Sequence, residues 1–155
     1  MKSGAKIYAP YRQDDFNKPW WQPEADLKFW MIGPEKGIAE SSTRELHDAC
    51  LVFVMKSSSG RKCVFTGDAS DTNLEWIAKN TANYCDDILH ASHHGSINGA
   101  QLDFIKKANA KYTLISTKSG VYPSVPDETA LRHYRENTSI AVYRTDVNGS
   151  KLFEF

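Results

Sequence analysis

No stretch of this 155-residue sequence comes near the roughly 20 consecutive apolar residues that a membrane-spanning helix requires. No apolar run follows Lys2 either, so neither a membrane segment nor a signal peptide is expected. An excess of one charge is also lacking: 19 basic residues balance 19 acidic ones, for a formal net charge of 0. That removes any global pull toward nucleic acid or anionic lipid, although a metal site can supply positive charge locally. Cysteine is scarce. Cys50, Cys63 and Cys85 are an odd set without a CxxC pair, which fits neither a disulfide framework nor a thiolate metal site and reads as buried free thiols in a reducing compartment. A cytoplasmic location is therefore expected. There is no internal repeat and no low-complexity segment. With 41% hydrophobic and 25% charged residues, the remainder is ordinary for one globular domain with a core of its own.

The early part of the chain is irregular. Lys6–Ala9 reads as a short strand stopped by Pro10, and residues 11–25, with Pro19, Pro23 and Trp20-Trp21, as a loop. Asp26–Ile32 alternates as a strand ended by Gly33-Pro34, and residues 35–48 read as polar loop. From there the pattern sharpens. Leu51–Met55 is a buried strand, Ser57–Gly60 a turn, and Lys62–Phe65 the returning strand of a hairpin. A helix opens near Thr72, with Glu75 completing a capping box and Leu74, Ile77 and Ala78 forming its apolar stripe. Strand and helix then alternate: Asp87–Ala91, a helix over 99–108, Tyr112–Ile115, a helix over 126–136 with Ser124 or Asp127 at its cap, and Ile140–Tyr143. Asn148-Gly149 signals a closing hairpin with Lys151–Phe155. The expected class is α/β, a mixed sheet with helices on one face.

Two segments carry chemistry. Phe65-Thr66-Gly67-Asp68 puts a carboxylate just after a buried strand, at a turn made tight by glycine. Ser92-His93-His94-Gly95-Ser96 follows the next strand, with one helix between. Both therefore lie at carboxyl ends of strands, the edge at which open α/β sheets bind ligands. Asp and His suit Zn, Mn or Fe, and one carboxylate can bridge two metals. Taken singly, a segment like the first is more often a plain turn, and a pair like the second more often on the surface or hydrogen-bonded than ligating. His90, inside a strand, and His133, beside Arg132 on a helix, read as structural or solvated.

Phe-Thr-Gly-Asp-Ala, a helix, then Ile-Leu-His-Ala-Ser-His-His-Gly-Ser resembles the last two metal motifs of metallo-β-lactamase-fold hydrolases. The His-His-Gly-Ser form is similar to the soluble domain of ComEC-type competence proteins. Tyr112–Ser116, Tyr122–Pro126 and Val142–Asp146 resemble downstream segments of that family, so the likeness spans about residues 49–155, with 1–48 as an irregular leader. The resemblance implies the C-terminal half of an αββα sandwich: one mixed sheet, helices on one face and a terminal β-hairpin. It implies Asp68 and His94 as metal ligands and His93 at the substrate phosphate or leaving group, with the reverse assignment of the two histidines open. Ser96 and Tyr122 become substrate contacts. Zn or Mn, up to two ions, would activate water against a phosphodiester in a nucleic acid or nucleotide-like substrate. The family's His-x-His-x-Asp-His cluster is absent, His47 is not expected to substitute for the family's further histidine, and Tyr122-Pro-Ser lacks the histidine of the family's Tyr-Gly-His-Pro. The opening Met1–Tyr8 resembles the interior of a domain. The expectation is thus an incomplete site, completed by an N-terminal half on another chain or by self-association; the rival is a degenerate half-domain that works by interaction. The sheet face turned away from the helices, expected to present Val52, Val54, Val64, Ile88, Leu114 and Val142 or their alternates, would be covered by self-association or by Trp20, Trp21 and Trp30 folded back.

Overall fold

The computed structural model describes residues 10–154; the expected strand Lys6–Ala9 lies outside them. The chain forms one seven-stranded mixed sheet whose spatial order follows the sequence. Its strands are β1 (Trp21–Glu24), β2 (Leu27–Gly33), β3 (Val52–Ser57), β4 (Lys62–Phe65), β5 (Ile88–His90), β6 (Tyr112–Ile115) and β7 (Ala141–Arg144). β1 through β4 pair antiparallel and β4 through β7 pair parallel. The parallel strands are joined by α2 (Asp71–Asn80), α3 (Leu102–Ala108) and α4 (Glu128–Asn137). Crossovers that share one hand and each step one strand the same way stack their helices on one face. Leu74 and Ile77 of α2, Phe104 and Ile105 of α3, and Leu131 and Tyr134 of α4 accordingly join Val52, Val54, Val64, Leu89 and Ile115 in a single core. Among the described residues, no helix is long and apolar enough to cross a membrane.

Strand alternation divides the sheet residues between two faces, and the register assigns them. Val54 pairs with Val64, and Val64 with Leu89, on the helix side; Phe53 pairs with Phe65, and Cys63 with Ile88, on the other. The expected list for the outward face therefore mixed two parities. Val52, Val54, Val64 and Val142 face the helices and Ile88 and Leu114 face away; the alternates Phe53 and Phe65 share the outward side with Phe29 and Tyr112.

Three further departures have local causes. Trp21–Glu24 is a strand rather than loop; Pro23 is tolerated because β1 is the sheet edge and needs no donor on its open side. Residues expected as loop contain a short helix, α1 (Lys36–Ala39), and a 3-10 turn (Leu46–Ala49). α2 begins before Thr72 because the Ser70 hydroxyl, itself bonded to the buried Asp48 carboxylate, accepts the Asn73 N–H. Glu75 then pairs with Lys79 at 2.6 Å instead of closing a capping box.

The terminal hairpin does not form. Thr145–Asn148 makes a helical turn, α5, and residues 150–154 have no strand partner. Tertiary hydrogen bonds capture the turn residues: the Thr117 N–H donates to Thr145 Oγ1 at 2.9 Å, the Ser119 hydroxyl to Asp146 at 2.7 Å, and the Arg144 N–H to Asn148 Oδ1 at 2.9 Å.

Candidate metal centre

β4 and β5 are parallel neighbours, so the turns that follow them share one edge of the sheet. The Thr66 hydroxyl donates to the His90 carbonyl at 2.8 Å, tying the two exits together. Gly67, at φ +54, turns the chain so that its carbonyl accepts the His93 N–H at 3.1 Å. Ser92 is buried between the turns, its hydroxyl 2.7 Å from the Ala69 carbonyl.

The two histidines are held in a costly backbone conformation. His93 (φ 48, ψ 44) and His94 (φ 56, ψ 22) are both left-handed, a region that disfavours a residue with Cβ by about 1–2 kcal/mol. Such residues concentrate where surrounding structure needs them for function. The consequence is a converging pair: His94 Nε2 lies 3.5 Å from Asp68 Oδ1, both side chains about half exposed.

The other ring nitrogen of His94 defines what that pair can do. Nδ1 is 2.7 Å from the Ser116 carbonyl oxygen, which can only accept, so Nδ1 carries the proton. In the neutral ring Nε2 then presents its lone pair to a carboxylate oxygen. Two electron-pair donors facing each other can share a cation, either a proton or a metal. The 3.5 Å gap is long for an N–H···O hydrogen bond, whose usual span is about 2.7–3.2 Å. It matches two donors on one tetrahedral ion with bonds of about 2.0–2.2 Å. A histidine whose second nitrogen donates to a backbone carbonyl is also the usual form of a metal ligand. The donor set at these two residues fits a divalent cation.

The remaining expected residues are less close. His93 is half-buried, with its Nδ1 sealed from solvent and, among the described residues, without a hydrogen-bond partner. Burial and the neighbouring His47 hold its imidazole below its ordinary value. Ser96 is buried inside the turn, its N–H bonded to the His93 carbonyl at 2.9 Å. Tyr122 is 68% exposed on the loop between β6 and α4, and no hydrogen bond or ring contact links it to Asp68, His93 or His94.

The structure adds one residue that the sequence reading set aside. His47, in the 3-10 turn before β3, lies with its ring centroid 4.4 Å from that of His93, and its Nδ1 is 4.0 Å from Cys50 Sγ. The signal for it was available: β3 runs antiparallel to β4, so residues preceding β3 must lie at the same edge as residues following β4. His90 also sits close by. It projects from β5 on the outward face beside Phe65, with Nδ1 sealed and unpartnered among the described residues. Even so, among the described residues no group of three or more His, Cys, Asp or Glu side chains is arranged to hold a metal ion. Burial pushes the Cys63 and Cys85 thiols up to about 12, which leaves them protonated and inert as ligands. Comparison with protein-family models finds no match for this chain, and comparison with curated proteins finds none either.

Proposed function

We propose that this chain carries the Asp–His portion of a metal-dependent hydrolase site of the metallo-β-lactamase type, directed at phosphodiesters in a nucleic acid or nucleotide-like substrate. The observation that carries the reading is the Asp68–His94 pair: two donors 3.5 Å apart, one with its tautomer fixed by the Ser116 carbonyl. Asp68 and His94 would hold a Zn or Mn ion, which would supply Lewis-acid stabilisation of a phosphoryl oxygen and an activated water. The chain's own part is to hold that position open. Asp68 offers one oxygen toward His94 and leaves a second for another cation, while His93, beside His47, stands at the same edge to meet the phosphate or the leaving group. The Phe-Thr-Gly-Asp and His-His-Gly-Ser likeness supplies the substrate class.

Two donors hold a cation weakly, so the remaining ligands come in this reading from a second component, another chain or a second copy. The cysteines, free in the structure, are in keeping with a cytoplasmic place. A rival reading, a non-catalytic half-domain that acts by interaction, is favoured by a specific feature: an apolar groove of about 420 Å³ on the outward face, lined by Trp20, Trp21, Phe29, Met31, Leu51 and Phe53.

Calorimetric titration with Zn and Mn distinguishes the two. The hydrolase reading expects one saturable cation that Asp68→Ala or His94→Ala weakens by about 10–100-fold, with little turnover of a generic phosphodiester by the chain alone. Cation binding indifferent to both substitutions would leave only the interaction reading.

A further inference from the structure

A second cavity lies on the outward face toward the amino ends of β5 and β6, away from the edge that holds Asp68. It exists because the last residues of the chain return across the sheet without joining it. Phe153 packs its ring centroid 5.2 Å from Tyr112 and 6.4 Å from Tyr143, while Tyr112 and Tyr143 lie nearly parallel, 6.3 Å apart and 15° inclined. Arg61 fastens the segment by donating to the Glu154 carbonyl at 2.7 Å. Beneath it remains a space of about 500 Å³, within the range of about 300–1,000 Å³ that holds small ligands.

The charges around this space are unevenly matched. Lys111 is paired with Asp87 at 2.8 Å. Lys151 instead sits with its ammonium 4.8 Å from the centre of the Tyr143 ring, and among the described residues neither it nor Arg61 forms an ion pair. Of the five N–H donors of a guanidinium, Arg61 uses one on Glu154. Arg61 does act on Asp87, helping Lys111 hold that carboxyl below its ordinary value, but two cationic heads outside any ion pair among the described residues still border a cluster of half-buried aromatic rings. A bare anion would leave the rings unused, and a neutral aromatic would leave the cations unmatched. A ligand that answers both is a planar ring carrying a phosphate, since bases stack on aromatic side chains and phosphates pair with Arg and Lys.

We propose that this cavity binds a nucleotide unit, its base against Tyr112 and Phe153 and its phosphate between Arg61 and Lys151. The site stands apart from Asp68 and His94 and does not rest on the metal reading.

The test is calorimetric titration of the whole chain, in EDTA, with adenosine 5′-monophosphate, adenosine and inorganic phosphate. The expected result is saturable binding of the monophosphate, about tenfold or more tighter than either fragment. Lys151→Glu, at an exposed position, should weaken it by about tenfold or more without moving the thermal melt, and Tyr112→Leu should weaken it while keeping an apolar side chain at that position. Asp68→Ala should leave it unchanged. A short oligothymidylate run in parallel identifies the natural source: tighter binding than the monophosphate points to a nucleic-acid strand, equal binding to a free nucleotide, and either result supports the site. No saturable binding, phosphate binding as tightly as the nucleotide, or binding lost in Asp68→Ala but kept in Lys151→Glu would each overturn it.

Discussion

Neighbouring residues of β3 meet different worlds. Val52 and Val54 are buried in the core that the helices share, whereas Phe53 between them is half-exposed and lies beside other rings: Phe29 at 5.8 Å and Phe65 at 5.1 Å between centroids. The same contrast runs along the sheet. The helix side holds Val64, Leu89 and Ile115 at 2% exposure or less; the outward side carries Trp21, Phe29, Phe53, Phe65 and His90 in a row from the edge inward. Aliphatic burial against helices is what folds this chain, and it runs along one face; on the other, Met31, Cys63 and Ile88 are buried too, but the aromatic row stays partly exposed. The outward aromatic row contributes the smaller energies of cross-strand pairs and leaves an apolar surface of a kind that soluble monomers seldom present without a use.

The largest expected effect tests that division directly. Leu74→Ala, deep in the helix-side core, should cost about 2–5 kcal/mol of unfolding free energy. Phe53→Thr, which keeps a strand-favouring residue on the outward face, should cost about 1 kcal/mol or less. Urea unfolding of both variants at low protein concentration measures the difference. Equal losses would mean that the outward face is as well covered in solution as the helix side.

Self-association is the next way to sharpen the contrast. With no net charge to keep copies apart, light scattering should show mean mass rising with concentration. The double variant Trp21→Thr/Phe53→Thr should suppress that rise, since buried aromatic anchors each contribute about 1 kcal/mol or more to an interface. A wild-type chain that stays monomeric at every concentration would show that the groove beside Leu51 needs no cover.

Much of this organisation was legible in the sequence, and where legibility failed the cause is physical. The parallel strands and the helices between them announce themselves because burial on both faces or on one stripe leaves a periodic signature. The convergence of Asp68 and His94 followed from their places after successive strands. The sheet's parity did not follow, because a run such as Leu51–Met55 is apolar at every position and carries no alternation to read. The closing hairpin failed because Asn148 and Gly149 obey local turn preference only when nothing else claims the residues before them, and here Ser119 and Thr117 claim Asp146 and Thr145. His47 is set aside by its sequence context, but the antiparallel pairing of β3 with β4 brings it to the edge that holds His93.

A third, smaller effect concerns the edge where the two faces end. His93 stands in the left-handed region, which glycine occupies freely and alanine does not. His93→Gly should therefore be more stable than His93→Ala by about 1 kcal/mol, although glycine is ordinarily the less stabilising of the two. Thermal melts of the two variants give the sign. A reversed order would mean that the turn relaxes out of the left-handed region once the imidazole is gone.

The smallest effect belongs to His90, the titratable group of the outward aromatic row. Burial, and to a lesser extent the neighbouring His94, hold its imidazole below its ordinary value of 6.5, with Asp68 opposing. Its Nδ1 is sealed and, among the described residues, without a partner to share a second proton. The folded state therefore binds this proton less readily than the unfolded chain, and the linked stability has a definite sign. It is fully present above the unfolded value and is lost as pH falls from about 6.5 through the lower folded value. Replacing the ring with one that stacks on Phe65 but cannot titrate, His90→Phe, should flatten the urea-midpoint profile between about pH 7.5 and pH 5 relative to wild type. The difference between the two proteins should be least at the upper end and grow toward the lower. If another molecule covers the outward face, the ring is desolvated further and the wild-type fall should steepen with protein concentration. Parallel profiles for the two proteins at every concentration would show that His90 titrates as freely in the fold as in the open chain, and that its side of the sheet is wetter than its aromatic neighbours imply.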